Sequence, residues 1–116
     1  MQAANNFTTD TAGADALGRS GKGCLLVHVD WCGYCKEFVP VFTAAAQQNT
    51  SGVPMLMINP ESHPLPPYMV PHVQGYPTVF IFKKDANGNA VSELYQGERS
   101  HPEQVLQEVQ KLSPVQ

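Results

Sequence analysis

The chain has 116 residues, 42% of them hydrophobic, and its 7 basic and 10 acidic side chains leave a net charge of -3. That length suits one domain that buries a core without disulfide staples, and the apolar share argues against a disordered chain. The acid excess argues against a phosphate-binding basic face, so no nucleic-acid partner is expected.

Three cysteines, an odd number, cannot make a closed disulfide framework. Met1 to Lys22 has neither an apolar stretch of signal-peptide length nor a positive start, and no later run reaches the length of a membrane span. A cytoplasmic protein with no membrane partner is expected, or a secretory or periplasmic one if the chain is a processed form.

In chain order, Thr9 or Asp10 caps a short helix through Leu17, which Gly18, Ser20 and Gly21 end. Cys24 to Val29 is a compact apolar run with β-branched residues and suits a buried central strand. A helix follows from Gly33 to about Gln48, with Phe38, Val41, Phe42 and Ala45 at helical spacing and Pro40 inside it. Val53 to Ile58 reads as a second buried strand. Five prolines from Pro60 to Pro71 forbid a long helix there and predict an irregular connection. Thr78 to Phe82 and Ala90 to Tyr95 form a hairpin around Asp85–Asn89, with Asn87 and Gly88 supplying positive φ. Ser100 to Glu103 is a capping box, and Val105, Leu106, Val109 and Leu112 mark the apolar face of a final helix. There is no internal repeat. The pattern predicts a single α/β domain over 1–116, with a central sheet flanked by helices on both faces.

Trp31-Cys32-Gly33-Tyr34-Cys35-Lys36 sits where a strand ends and a helix begins. A Cys-x-x-Cys pair in that context reads as a redox site. Cys32 falls at the helix N-terminus, where unpaired N–H groups and the helix dipole favour the reactive thiolate. Cys35, one turn on, is placed to attack a mixed disulfide at Cys32 and is expected to be the more buried, resolving thiol. The competing reading is zinc, with Cys24, His28, Cys32 and Cys35 as ligands. Strand geometry opposes it, because Cys24 and His28 stand about 13 Å apart along an extended segment.

These motifs, with Ser20-Gly-Lys22 ahead of the strand, Gly75-Tyr-Pro-Thr78 and Tyr95-Gln-Gly-Glu-Arg99, resemble the thioredoxin superfamily, and most closely the catalytic domains of protein disulfide isomerases. The resemblance covers roughly Asn6 to Leu112. It implies a thioredoxin fold with a mixed sheet and thiol–disulfide exchange with protein substrates, the only redox group being the Cys32–Cys35 pair. It implies a cis Tyr76–Pro77 bond facing the cysteines, with Trp31, Tyr76 and Pro77 toward the substrate. A thioredoxin-reductase-like protein or glutathione is the implied electron donor.

The chain departs from that family in several places. Leu26 stands where a buried acid is usual, six residues before the nucleophile. Met55 takes the place of the lysine that faces the acid in thioredoxins. Removing both partners avoids an unpaired buried charge. It also removes a proton acceptor for Cys35; His28 shares that strand face and reads either as a buried histidine held by a backbone partner or as the replacement acceptor. Arg99 matches an arginine that favours the resolving thiolate in isomerase domains. Cys24, at a strand start, reads as an inert small hydrophobe. Tyr34, neither the proline of thioredoxins nor the histidine of isomerases, places the expected potential between theirs, about -270 to -180 mV. A thioredoxin-fold subunit that binds a partner without turnover is the competing function from another class.

Overall fold

The first strand, β1 (Gly23–Val27), is buried along its whole length. A strand covered on both faces has no need of polar alternation, which is why this segment is one continuous apolar run. The computed structural model describes residues 7–95, 103–105 and 107. In it β1 pairs in parallel with β2 (Met55–Ile58) and antiparallel with β3 (Thr78–Lys84). β3 pairs antiparallel with β4 (Ala90–Leu94), giving a mixed sheet in the order β2-β1-β3-β4.

Alternation along β1 then divides the core. Leu25 and Val27 face helix α1 (Thr11–Ser20) and pack with Ala14, Leu17, Phe80 and Phe82. Cys24 and Leu26 face helix α2 (Gly33–Gln48) and pack with Phe38, Phe42, Met57 and Val79. Each fully buried Phe or Leu contributes roughly 1.5–3 kcal/mol. The sheet is thus covered on both faces, and the architecture is the thioredoxin fold. Val105 joins the α2 face, and residues 103–105 and 107 are helical. Leu106, Val109, Leu112 and Ser100 to Pro102 of the expected capping box lie outside the described residues. Among the described residues, no helix is long and apolar enough to cross a membrane.

Several boundaries move. Helix α1 does not stop at Leu17: it continues through Gly18 and ends at Gly21, in the left-handed region at φ 69°. Gly18 is helical, and a Cβ there would come 2.4 Å from the Tyr68 hydroxyl. Strand β1 ends at Val27 rather than Val29, although the His28 N–H still donates to Ile58 O. Strand β2 starts at Met55 rather than Val53, and β3 runs on to Lys84, where a Lys83–Glu93 ion pair joins it to β4. In the hairpin only Gly88 has positive φ, at 84°. Asn87 does not need it, because Asp85 Oδ1 accepts from both the Asn87 and Asn89 N–H at 2.9 Å and holds the turn. The proline-rich connection contains one short 3-10 turn, Val70–His72. Phe7 to Thr9 adds an unexpected pairing outside β2, with a parallel bridge between Thr8 and Met57.

Across the ladder, Leu26 faces Met57, while Met55 faces Cys24. Both methionines lie on the Leu26 face, so that face is apolar at each of these positions.

Candidate active site

Helix α2 begins at Gly33 because Cys32 caps it. Cys32 has extended backbone angles, φ -89° and ψ 119°, and its Sγ accepts from the Cys35 N–H at 3.2 Å. That is the geometry of a serine or aspartate N-cap, with sulfur as the acceptor. The helix then runs through Pro40, which leaves the Lys36 carbonyl without its usual donor.

The cap position acts on the thiol. Hydrogen bonding from the Cys35 side chain lowers the Cys32 pKa from the ordinary thiol value; burial opposes it, and the Cys35 and Tyr34 backbone N–H groups add to the lowering. Cys35 lies behind it, 1% exposed against 8% for Cys32. No disulfide joins the three cysteines.

The loop before β3 closes the other side. The Tyr76–Pro77 bond is cis. Cys32 Sγ donates to Tyr76 O at 3.5 Å, so the loop and the helix N-terminus meet at the sulfur. Trp31 lies edge-on to Tyr76 with ring centroids 5.8 Å apart, and its Nε1–H donates to Glu61 Oε2 at 2.7 Å. Trp31 and Tyr34 remain 65% and 76% exposed, giving the cysteines an aromatic rim open to solvent. Gly33 lies between them, and a Cβ there would meet nothing within 4 Å. Packing within this chain therefore does not demand glycine at that position.

The fold thus brings together Trp31, Cys32, Gly33, Tyr34, Cys35, Tyr76 and Pro77. Glu61 is the member that sequence reasoning missed; nothing about an acid in a proline-rich loop announces a partner 30 residues earlier. His28 lies behind the cysteines, where it and Cys35 line one cleft of about 410 Å³. Burial pushes the His28 pKa below its ordinary value, and the charge of Asp30 pulls it back. Arg99 lies outside the described residues.

Cys24 is elsewhere. It sits at the buried start of β1, and desolvation pushes its thiol up to about 12. Among the described residues, no three histidine, cysteine or acidic side chains are grouped to hold a metal ion. The set Cys24, His28, Cys32 and Cys35 is therefore not assembled, because β1 separates its first member from the helix N-terminus.

Comparison with known proteins agrees with this geometry. A family model described as Thioredoxin matches residues 10–111. A mitochondrial thioredoxin domain-containing protein of Schizosaccharomyces pombe is 28% identical over 83 residues, which span 70% of this chain and 23% of that protein. The chain thus spans about a quarter of the curated relative's length. Among solved structures, the J-Trx1 fragment of ERdj5 superposes with a TM-score of 0.71 at 19% identity, covering 90% of this chain and 50% of that one. The first thioredoxin domain of mouse protein disulfide-isomerase A4 gives 0.68 at 25% identity, covering 92% and 74%. Human ERp44 gives 0.68 at 18%, covering 90% and 31%.

Proposed function

Because this chain belongs to the thioredoxin family, we propose that it is a thiol–disulfide oxidoreductase acting on protein cysteines through Cys32 and Cys35. The observation that carries the reading is the Cys32 sulfur at the α2 N-cap, lowered in pKa and 8% exposed, with Cys35 buried behind it. In the reducing direction, the Cys32 thiolate attacks a substrate disulfide and forms a mixed disulfide, expelling one substrate thiolate. Cys35 then attacks Cys32 Sγ, forming the Cys32–Cys35 disulfide and releasing the second substrate thiolate. The oxidising direction is the reverse.

Substrate binding falls to the rim. An extended peptide laid beside Tyr76 meets the backbone groups of the loop before β3 and the exposed faces of Trp31 and Tyr34. Glu61 fixes the indole, and Tyr76 backs it. The reading needs no redox group beyond the cysteine pair. A thioredoxin-reductase-like flavoprotein or glutathione supplies or removes the electrons. The curated relative is mitochondrial, so an organelle joins the cytoplasm as a compartment to test by imaging the tagged protein.

The test is insulin reduction with dithiothreitol as electron source. The protein should accelerate turbidity, and Cys32→Ser should fall to the uncatalysed rate. Equal rates for both would favour the partner-binding subunit instead. The reduction potential in glutathione buffers then decides the direction of flow. A value between about -270 and -180 mV is expected.

A further inference from the structure

Resolution of the mixed disulfide needs a Cys35 thiolate, yet Cys35 is 1% exposed and packs in a buried cluster with Val29 and Cys32. Some group has to take its proton. The cleft behind α2 contains the candidates: His28, Asp30 and Lys36 share it with Cys35. Lys36 is a cation and has no lone pair to offer. Asp30 is an exposed carboxylate. His28 differs from both. Its Nε2 is buried and has no hydrogen-bond partner among the described residues. A buried imidazole nitrogen left unpaired costs free energy and calls for an explanation.

We propose that His28 accepts the Cys35 proton during resolution of the mixed disulfide, across the cleft the two residues share. The inference rests on the exchange reaction proposed above. The proton passes from Cys35 Sγ to the His28 imidazole, which becomes imidazolium. The Cys35 thiolate forms a bond to Cys32 Sγ, and the bond from Cys32 Sγ to the substrate sulfur breaks. Two cysteines of this chain are oxidised to a disulfide, and the substrate disulfide is reduced to two thiols. The His28 proton leaves to solvent. The cleft, about 410 Å³, has room for a relaying water, which occupies about 30 Å³ in the liquid. Burial keeps His28 neutral at pH 7 and ready to accept, with the Asp30 carboxylate and the Lys36 ammonium as the charged groups facing the cleft among the described residues.

The experiment uses the reduced full chain and an aryl disulfide, DTNB, in stopped flow. Attack by Cys32 releases one coloured thiolate, and attack by Cys35 releases the second. His28→Gln should leave the first phase within about twofold and slow the second by about 10²-fold near pH 7, the lower end of general-base effects. The slowed phase should recover as hydroxide rises. A second phase in His28→Gln that matches wild type across pH overturns the proposal while leaving the exchange reading intact. Release of only one equivalent by wild type would sink the exchange reading itself. Should His28→Gln not fold, the assigned imidazole signal of wild type decides by NMR: its titration midpoint should move when the cysteine pair is oxidised, and an unchanged midpoint overturns the proposal.

Discussion

Cys24 and Cys32 lie near the two ends of one strand-and-turn segment, and the fold drives their chemistry in opposite directions. Cys24 begins β1 among Leu26, Met55 and Ile81, where no dipole or donor offsets desolvation, so its thiol is pushed up to about 12. Cys32 lies beyond the end of the sheet, where α2 starts with unpaired N–H groups, and its thiol is pushed down. The same side chain is held toward the thiol in one place and toward the thiolate in the other. What differs is the local supply of hydrogen-bond donors.

The sharpest way to break this comparison is to remove each sulfur in turn. Cys32→Ser should reduce insulin reduction to background, while its stability stays within about 0.5 kcal/mol of wild type, because serine caps a helix at least as well. Cys24→Val should leave the exchange rate unchanged. Loss of activity in Cys24→Val with the fold intact would contradict the contrast. Cys35→Ser should keep the first attack and accumulate mixed disulfides, visible as added mass under non-reducing conditions.

Burying a charge on the sheet face that holds Cys24 should cost stability in the α2 core. Leu26→Asp places a carboxylate opposite Met57 with no cation, and a loss of about 3–5 kcal/mol is expected in urea melts. A loss under 1 kcal/mol would mean that water reaches this face.

The pH dependence separates the two thiols. Cys24 has a raised folded pKa, so its protonated form stabilises the fold below the unfolded thiol value. That stability is lost as pH rises toward about 12, because the unfolded chain ionises first. From pH 8 to 10.5, wild type should lose about 2 kcal/mol more than Cys24→Val. Cys32 has the opposite sign: its lowered folded pKa favours the fold above that pKa, and the contribution fades as pH falls through it. Pulsed iodoacetamide labelling near neutral pH should therefore modify Cys32 first and spare Cys24 until the protein unfolds.

The smallest effect tests the cap. Asp10 Oδ1 accepts from Gly13 N–H at 2.8 Å, the same i to i+3 geometry that Cys32 makes with Cys35. Asp10→Ala should cost about 1 kcal/mol in thermal or urea melts and leave thiol exchange unchanged. An exchange rate that falls with it would mean that α1 is coupled to the site across the sheet.

Most of what surrounds Cys32 is legible in the sequence. The apolar run of β1, the Cys-x-x-Cys at a strand-to-helix boundary and the 3.6-residue spacing of Phe38, Phe42 and Ala45 are short-range patterns. They determine a buried strand, a helix N-terminus and a sulfur at its cap, because capping and periodicity depend only on neighbours in the chain. The α1 boundary is less legible, because Gly18 is a helix breaker by propensity yet lies inside α1, close against Tyr68.

The rest is long-range, and only the tertiary structure decided it. Glu61 meets Trp31 across 30 residues, and Tyr76 O meets Cys32 Sγ across 44. The register that sets Leu26 against Met57, and the cleft that His28 and Cys35 both line, arise when β1, β2 and α2 pack together. A sequence carries no local trace of such contacts. Their partners are chosen by sheet order and helix docking, and the composition around Glu61 or Met57 would be the same in a fold where they met nothing.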